Sequence, residues 1–107
     1  PMDDVTPRAR LEVGPASDGV LVLRLGGELD LAALPAVQPE VDRLLARPPQ
    51  AARIDAADLR FMDSTGVTVL IRIANHFRPV ELVHARPPVR RVVEVLGLSA
   101  HLGLEGT

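Results

Sequence analysis

The chain contains no cysteine, no lysine, no tryptophan and no tyrosine. Without cysteine there are no disulfides, thiolate metal sites or cysteine nucleophiles. Two phenylalanines are the only aromatic residues, so a stacking platform for single-stranded nucleic acid is missing. All twelve cationic residues are arginine. This reads mainly as codon bias, although arginine keeps its charge and pairs with carboxylates through two parallel hydrogen bonds. Acidic and basic residues are interspersed around a net charge of −2. No positive stripe tracks a phosphate backbone, which argues against nucleic-acid binding. No apolar run approaches the ~20 residues needed to span a bilayer. Residues 1–12 are polar and carry both charge signs, unlike a signal peptide, and Pro1 ahead of Met2 reads as a cloning remnant. The expectation is a soluble, cytoplasmic protein with no membrane span.

What is present is aliphatic. Of 107 residues, 47% are hydrophobic, enough to build a core from Val, Leu, Ile and Ala in one domain. Residues 1–10 read as a flexible N-terminus and residues 11–107 as the domain. RLEVGPASDGVLVLRLGG reads as a hairpin, with Gly14, Pro15 and Asp18-Gly19 turning the chain. Val20 to Leu25 is a nearly continuous apolar run, as in a strand covered on both faces. Leu34, Val37, Val41, Leu44 and Leu45 have helical spacing. Asp30 is placed to cap that helix and Pro35 fits its first turn. Pro39 removes one hydrogen bond, so the helix starts late or kinks.

Ala51 to Ala57 forms a short strand. Val67, Leu70, Ile71, Ala74 and Phe77 then line one helical face, with Val69 and Ile73 at its flank, and Thr68, Arg72, Asn75 and His76 lie opposite. Val80 to Ala85 is another strand. Pro87-Pro88 opens a helix that buries Val89, Val92, Val93 and Leu96, ended by a left-handed Gly97. Leu98 to Leu104 supplies a terminal strand. The order β-β-α-β-α-β-α-β implies an α/β fold with a largely parallel sheet.

The segment FMDSTG, residues 61–66, raises the functional question. Asp63 or Ser64 can simply cap a helix, contributing about 1 kcal/mol, with Gly66 allowing close packing. Yet Asp63, Ser64 and Thr65 supply more polar groups than one cap needs. They also follow a parallel strand, where open α/β sheets place their working sites. A phosphate on Ser64 would add about −1.5 to −2 charge. The helix start would partly tolerate it, while Asp63 would repel it.

Other chemistry fits poorly. A serine hydrolase needs a histidine near Ser64, but His76 lies about 18 Å along the same helix, and no G-x-S-x-G elbow is present. His76, His84 and His101 share no helical face and do not form a metal site. Gly26-Gly27 opens no G-x-G-x-x-G phosphate loop. No cofactor or metal is implied.

FMDSTGVTVL resembles the signature of STAS domains, in particular bacterial anti-sigma-factor antagonists. LRLGGELDLA, residues 23–32, resembles the strand-loop segment before the first helix of that family, and the likeness extends over about residues 11–104. The resemblance implies a single-domain, mostly parallel sheet of about five strands, the first antiparallel, with three to four helices. It implies a partner-switching protein, not an enzyme. Such proteins bind an anti-sigma factor that is also an ATP-dependent serine kinase and so free a sigma factor. On this resemblance the kinase phosphorylates Ser64 and the modified form lets go, until a metal-dependent serine phosphatase restores it.

Asp30 and Asp63 match acidic positions near the acceptor, and Gly66 matches a small residue at the helix start. Thr65 stands where Ser is common and is a second candidate acceptor. Thr68 stands where a smaller residue is frequent, and the connection HFRPVE is short and lacks Gly-Gly. The implied docking set is Asp30, Leu31, Asp63, Ser64, Thr65, Gly66 and Thr68, with a half-exposed Val69 and Arg72 at the edge. The alternative within the resemblance is a non-switching interaction or scaffold subunit of a signalling or transporter complex.

Overall fold

A computed structural model describes residues 8–106. Of the expected flexible N-terminus, residues 1–7 lie outside this range, and Arg10 already begins the first strand. The elements are β1 (Arg10–Ser17), β2 (Val20–Leu29), α1 (Leu34–Leu45), β3 (Ala51–Met62), α2 (Ser64–His76), β4 (Val80–Val83) and α3 (Pro87–Val95). The strands form one sheet in the order β1-β2-β3-β4. β1 is antiparallel to β2, while β2, β3 and β4 are parallel. This is the mixed α/β sheet expected from the sequence, with three helices.

Asp18 and Gly19 both have positive φ, 54° and 78°, and Ser17 pairs with Val20. That is the geometry a two-residue hairpin turn requires. Gly14 and Pro15 do not turn the chain. They sit at an irregularity of edge strand β1, where the missing proline N–H costs the ladder nothing.

α1 begins at Leu34 and runs through Pro39. Pro39 is exposed, so its ring faces solvent rather than the core. Asp30 acts one turn ahead of the helix: its Oδ1 accepts from Ala33 N at 2.9 Å.

All three helices share one core with alternate strand residues, including Leu21, Leu23, Leu25, Ile54 and Leu82. The other sheet face is open. In register across it lie Glu12, Arg24, Asp55 and a buried Val83 in one row, and Gly14, Val22, Arg53 and Glu81 in the next. The expectation that β2 is covered on both faces is therefore corrected: its burial alternates, and Val22 is an apolar residue on a largely charged face.

The last strand is also corrected. Gly97, at φ +71°, closes α3 with Gly97 N donating to Glu94 O and Leu98 N to Val93 O, the paired bonds of a Schellman turn. The chain then coils, Leu102 N donating to Leu98 O at 2.9 Å. Only a single parallel bridge forms, between Leu82 and Leu104. A left-handed Gly103 interrupts the extension a strand needs. Leu96 is not buried: 55% of its surface is exposed, because the C-terminal turn of α3 passes the end of the core.

Candidate functional site at the start of α2

β3 does not stop at Ala57 but continues to Met62. It carries two irregularities against β2. Arg24 pairs with Asp55 but Gly26 with Asp58, and Gly27 pairs with Leu59 but Glu28 with Phe61. Each shift places one extra residue on β3, and such bulges re-aim side chains. At the second, Arg60 and Phe61 are both exposed in succession before Met62 turns back to the core.

Asp63 follows and is the hub of the site. Its extended backbone, φ −103° and ψ −165°, suits an N-cap. Oδ1 accepts from Thr65 N at 2.8 Å and Gly66 N at 3.2 Å, and Oδ2 accepts from Leu31 N at 3.1 Å. One carboxylate thus caps α2 and ties it to the loop after β2. Desolvation raises the Asp63 pKa, but amides, led by Leu31, favour the ionised form and prevail. The carboxyl titrates below its ordinary value of 3.8, as expected of a carboxylate accepting several N–H bonds.

Gly66 sets how close the helix comes. A Cβ there would lie 2.4 Å from Leu29 O and 2.7 Å from Met62 Cβ. The first turn of α2 therefore rests directly on the ends of β2 and β3, and only glycine fits.

Ser64 is exposed. Its hydroxyl has no hydrogen-bond partner among the described residues, while its carbonyl accepts from Thr68 Oγ1 at 3.0 Å. Thr65 is half-buried, and Thr68 and Arg72 are exposed. Ser64, Thr68 and Arg72 recur at four-residue spacing and so form one outward stripe.

Two members of the expected docking set are buried: Gly66, seated on β2 and β3, and Val69, which is 3% exposed and belongs to the core rather than half-exposed at the rim. The buried face runs through Gly66, Val67, Val69, Leu70, Ile73, Ala74 and Phe77. It keeps Val67, Leu70, Ala74 and Phe77 of the expected face and widens on one side to take in Val69 and Ile73, while Ile71 is only half-buried; Gly66, with no side chain, does not register in an apolar pattern.

Two exposed apolar residues flank the hub. Leu31 is 69% exposed and Phe61 48%. Phe61 was not among the expected docking residues. The sequence pattern ends the strand at Ala57 and leaves Phe61 in the connection to the helix, whereas β3 runs on to Met62 and its second bulge turns Phe61 outward. The histidines are engaged elsewhere: His76 Nε2 with Arg47 O at 2.6 Å, His84 Nδ1 with Asp55 Oδ1 at 3.2 Å, and His101 Nε2 with Asn75 Oδ1 at 2.9 Å.

A family model described as STAS domain matches residues 15–107. The chain belongs to the STAS domain family. The anti-sigma-F factor antagonist RsfB of Mycobacterium tuberculosis is 32% identical to it over 93 residues, covering 84% of this chain and 76% of that protein. A crystal structure of an anti-sigma factor antagonist from Mycobacterium paratuberculosis superposes with a TM-score of 0.74 at 26% identity, covering 94% of this chain and 86% of that one. SpoIIAA in its unphosphorylated form gives a TM-score of 0.61 at 24% identity, over 83% of this chain and 82% of that one. The phosphorylated form of the Bacillus protein gives 0.59 at 23%, over 84% and 86%. These last two likenesses are of fold. No helix among the described residues of this STAS chain is long and apolar enough to cross a membrane.

Proposed function

We propose that this STAS chain is an anti-sigma-factor antagonist that docks through the start of α2 and is switched off by phosphorylation of Ser64. Its partner is an anti-sigma factor with ATP-dependent serine kinase activity. Docking releases a sigma factor, and a serine phosphatase restores the modified form. The chain acts as a binding module in the cytoplasm. The observation that carries this reading is the exposed Ser64 hydroxyl at the tip of α2, without a hydrogen-bond partner among the described residues, close to the exposed Leu31 and Phe61. Relatives named as anti-sigma factor antagonists support it.

The geometry also suggests how the switch acts. Asp63 already occupies the amides of Thr65 and Gly66, so a phosphate on Ser64 finds those donors taken. It stands beside an ionised carboxylate and projects toward solvent. The fold persists, while the docking surface gains a dianion that opposes an acidic or ATP-bearing partner. Ser64 is the acceptor, not Thr65, because Thr65 is half-buried.

The test is incubation with the cognate kinase and ATP, followed by mass-spectrometric mapping. Label on Ser64, absent from Ser64→Ala, is expected. Label on Thr65 or elsewhere overturns the assignment. Ser64→Asp should abolish partner binding with an unchanged melting temperature. Undiminished binding by that variant would support a non-switching scaffold.

A further inference from the structure

The fold treats its two sheet edges differently. Beside β4 the end of the chain supplies a cover: Leu82 N donates to Gly103 O and Glu105 N donates to Leu82 O, both at 2.9 Å. Beside β1, the other edge strand, no such cover forms among the described residues. The bare edge reaches back to Arg8, which runs alongside β2 so closely that a Cβ on Gly27 would meet Arg8 O at 2.1 Å. A strand edge with unpaired N–H and C=O groups is a template for another strand.

The residues along this edge are self-complementary in one register. With a second copy laid antiparallel about a two-fold axis at Leu11, Arg10 lies opposite the partner's Glu12, Ala9 opposite the partner's Val13, and Arg8 opposite the partner's Gly14. Residues directly opposite share a face of the sheet. Glu12 belongs to the open, charged face, and Arg10 has the same parity. Leu11 lies in the core, with Ala9 and Val13 packed against it. Pairing therefore sets opposite charges together on one face and carries the apolar layer across on the other. The neighbouring registers fail. An axis at Arg10 sets arginine against arginine. An axis at Glu12 sets glutamate against glutamate, and an axis at Val13 sets Leu11 against Pro15, which has no N–H to give. The favourable register stops at Gly14, where β1 becomes irregular. Both charges are available. Glu12 is exposed and has no hydrogen-bond or ion-pair partner among the described residues. The Arg10 side chain is 48% exposed and reaches Asp58 Oδ2 at 3.6 Å, longer than a hydrogen bond.

We propose that the edge of β1 is the docking surface for a second copy of this chain, forming a two-fold dimer whose two sheets run on into one another. A two-fold contact uses the same patch on both subunits, and the Arg10–Glu12 reciprocity meets that condition. β2 separates β1 from β3, so Ser64 lies outside the contact and the dimer carries that site twice. A contact this short buries less than the about 1,200 Å² of a standard stable interface, so association is weak and concentration-dependent.

The experiment is sedimentation equilibrium of the chain from about 10 µM to about 1 mM, with thermal melts to confirm folding. The wild type should pass from monomer to dimer, less readily at high salt. Arg10→Glu and Glu12→Arg should each weaken association about tenfold or more. The double variant Arg10→Glu/Glu12→Arg restores opposite charges and should return association to within about threefold of wild type. That rescue separates the edge from other surfaces: a dimer through the exposed Val95 and Leu96 at the end of α3 would ignore both charge reversals and dissociate in Val95→Asp. A monomer at every concentration, association indifferent to the charge reversals, or a folded double variant that fails to re-associate overturns the proposal.

Discussion

Two helices of this domain begin in opposite ways. α3 starts after Arg86, with no side-chain cap and with Pro87 and Pro88 in its first turn. It meets the problem of unsatisfied helix N–H groups by having fewer of them. α2 keeps its donors and satisfies two with Asp63, whose second oxygen reaches across to Leu31. The proline start is stiff and chemically silent. The carboxylate start couples helix, strand and loop, and leaves a hydroxyl exposed beside them. The domain places its candidate switch on the second kind.

Substitutions separate these two designs. The largest effect is expected at Gly66, where a methyl group meets the backbone carbonyl of Leu29. Gly66→Ala should cost about 2–3 kcal/mol, measured by urea unfolding. Next come the contacts to a partner. Leu31→Ala and Phe61→Ala should each weaken anti-sigma-factor binding about tenfold or more, while shifting stability by about 0.5 kcal/mol or less. Equal losses of stability and binding would mean that these side chains serve the fold.

Asp63 has a pH signature. Its folded-state pKa lies below the ordinary 3.8, so its contribution to stability is complete above that value and is lost as pH falls through the folded pKa. Thermal melts of the wild type should decline on acidification below about pH 4, and those of Asp63→Asn should decline less. The smallest effect belongs to α3. Pro88→Ala should cost about 0.4–1 kcal/mol, through a less restricted unfolded chain, and leave partner binding unchanged.

Much of this contrast was legible in the residues. Asp18-Gly19, the helical spacings and the left-handed Gly97 each carry a local rule that tertiary packing did not override. The capping role of Asp63 and the close packing at Gly66 were also readable as local chemistry. What escaped depended on partners distant in sequence. The exposure of Phe61 comes from an extra residue in β3 relative to β2, which no pattern within β3 reveals. Val69 was placed at the rim because a glycine contributes nothing to an apolar stripe, although Gly66 is itself part of the buried face. Val22 resembles a core residue and lies on the other face, between Gly14 and Arg53. Leu96 continues the spacing of α3 past the end of the core it would need to reach.

The close seating of Gly66 on β2 and β3 has a consequence for traffic at this surface. Under the proposed switch, the helix tip cannot swing away to offer different aspects to different visitors. An enzyme that adds phosphate and one that strips it off must approach the same fixed spot from the same side. They therefore exclude one another, and whichever is resident decides how long the domain keeps its mark.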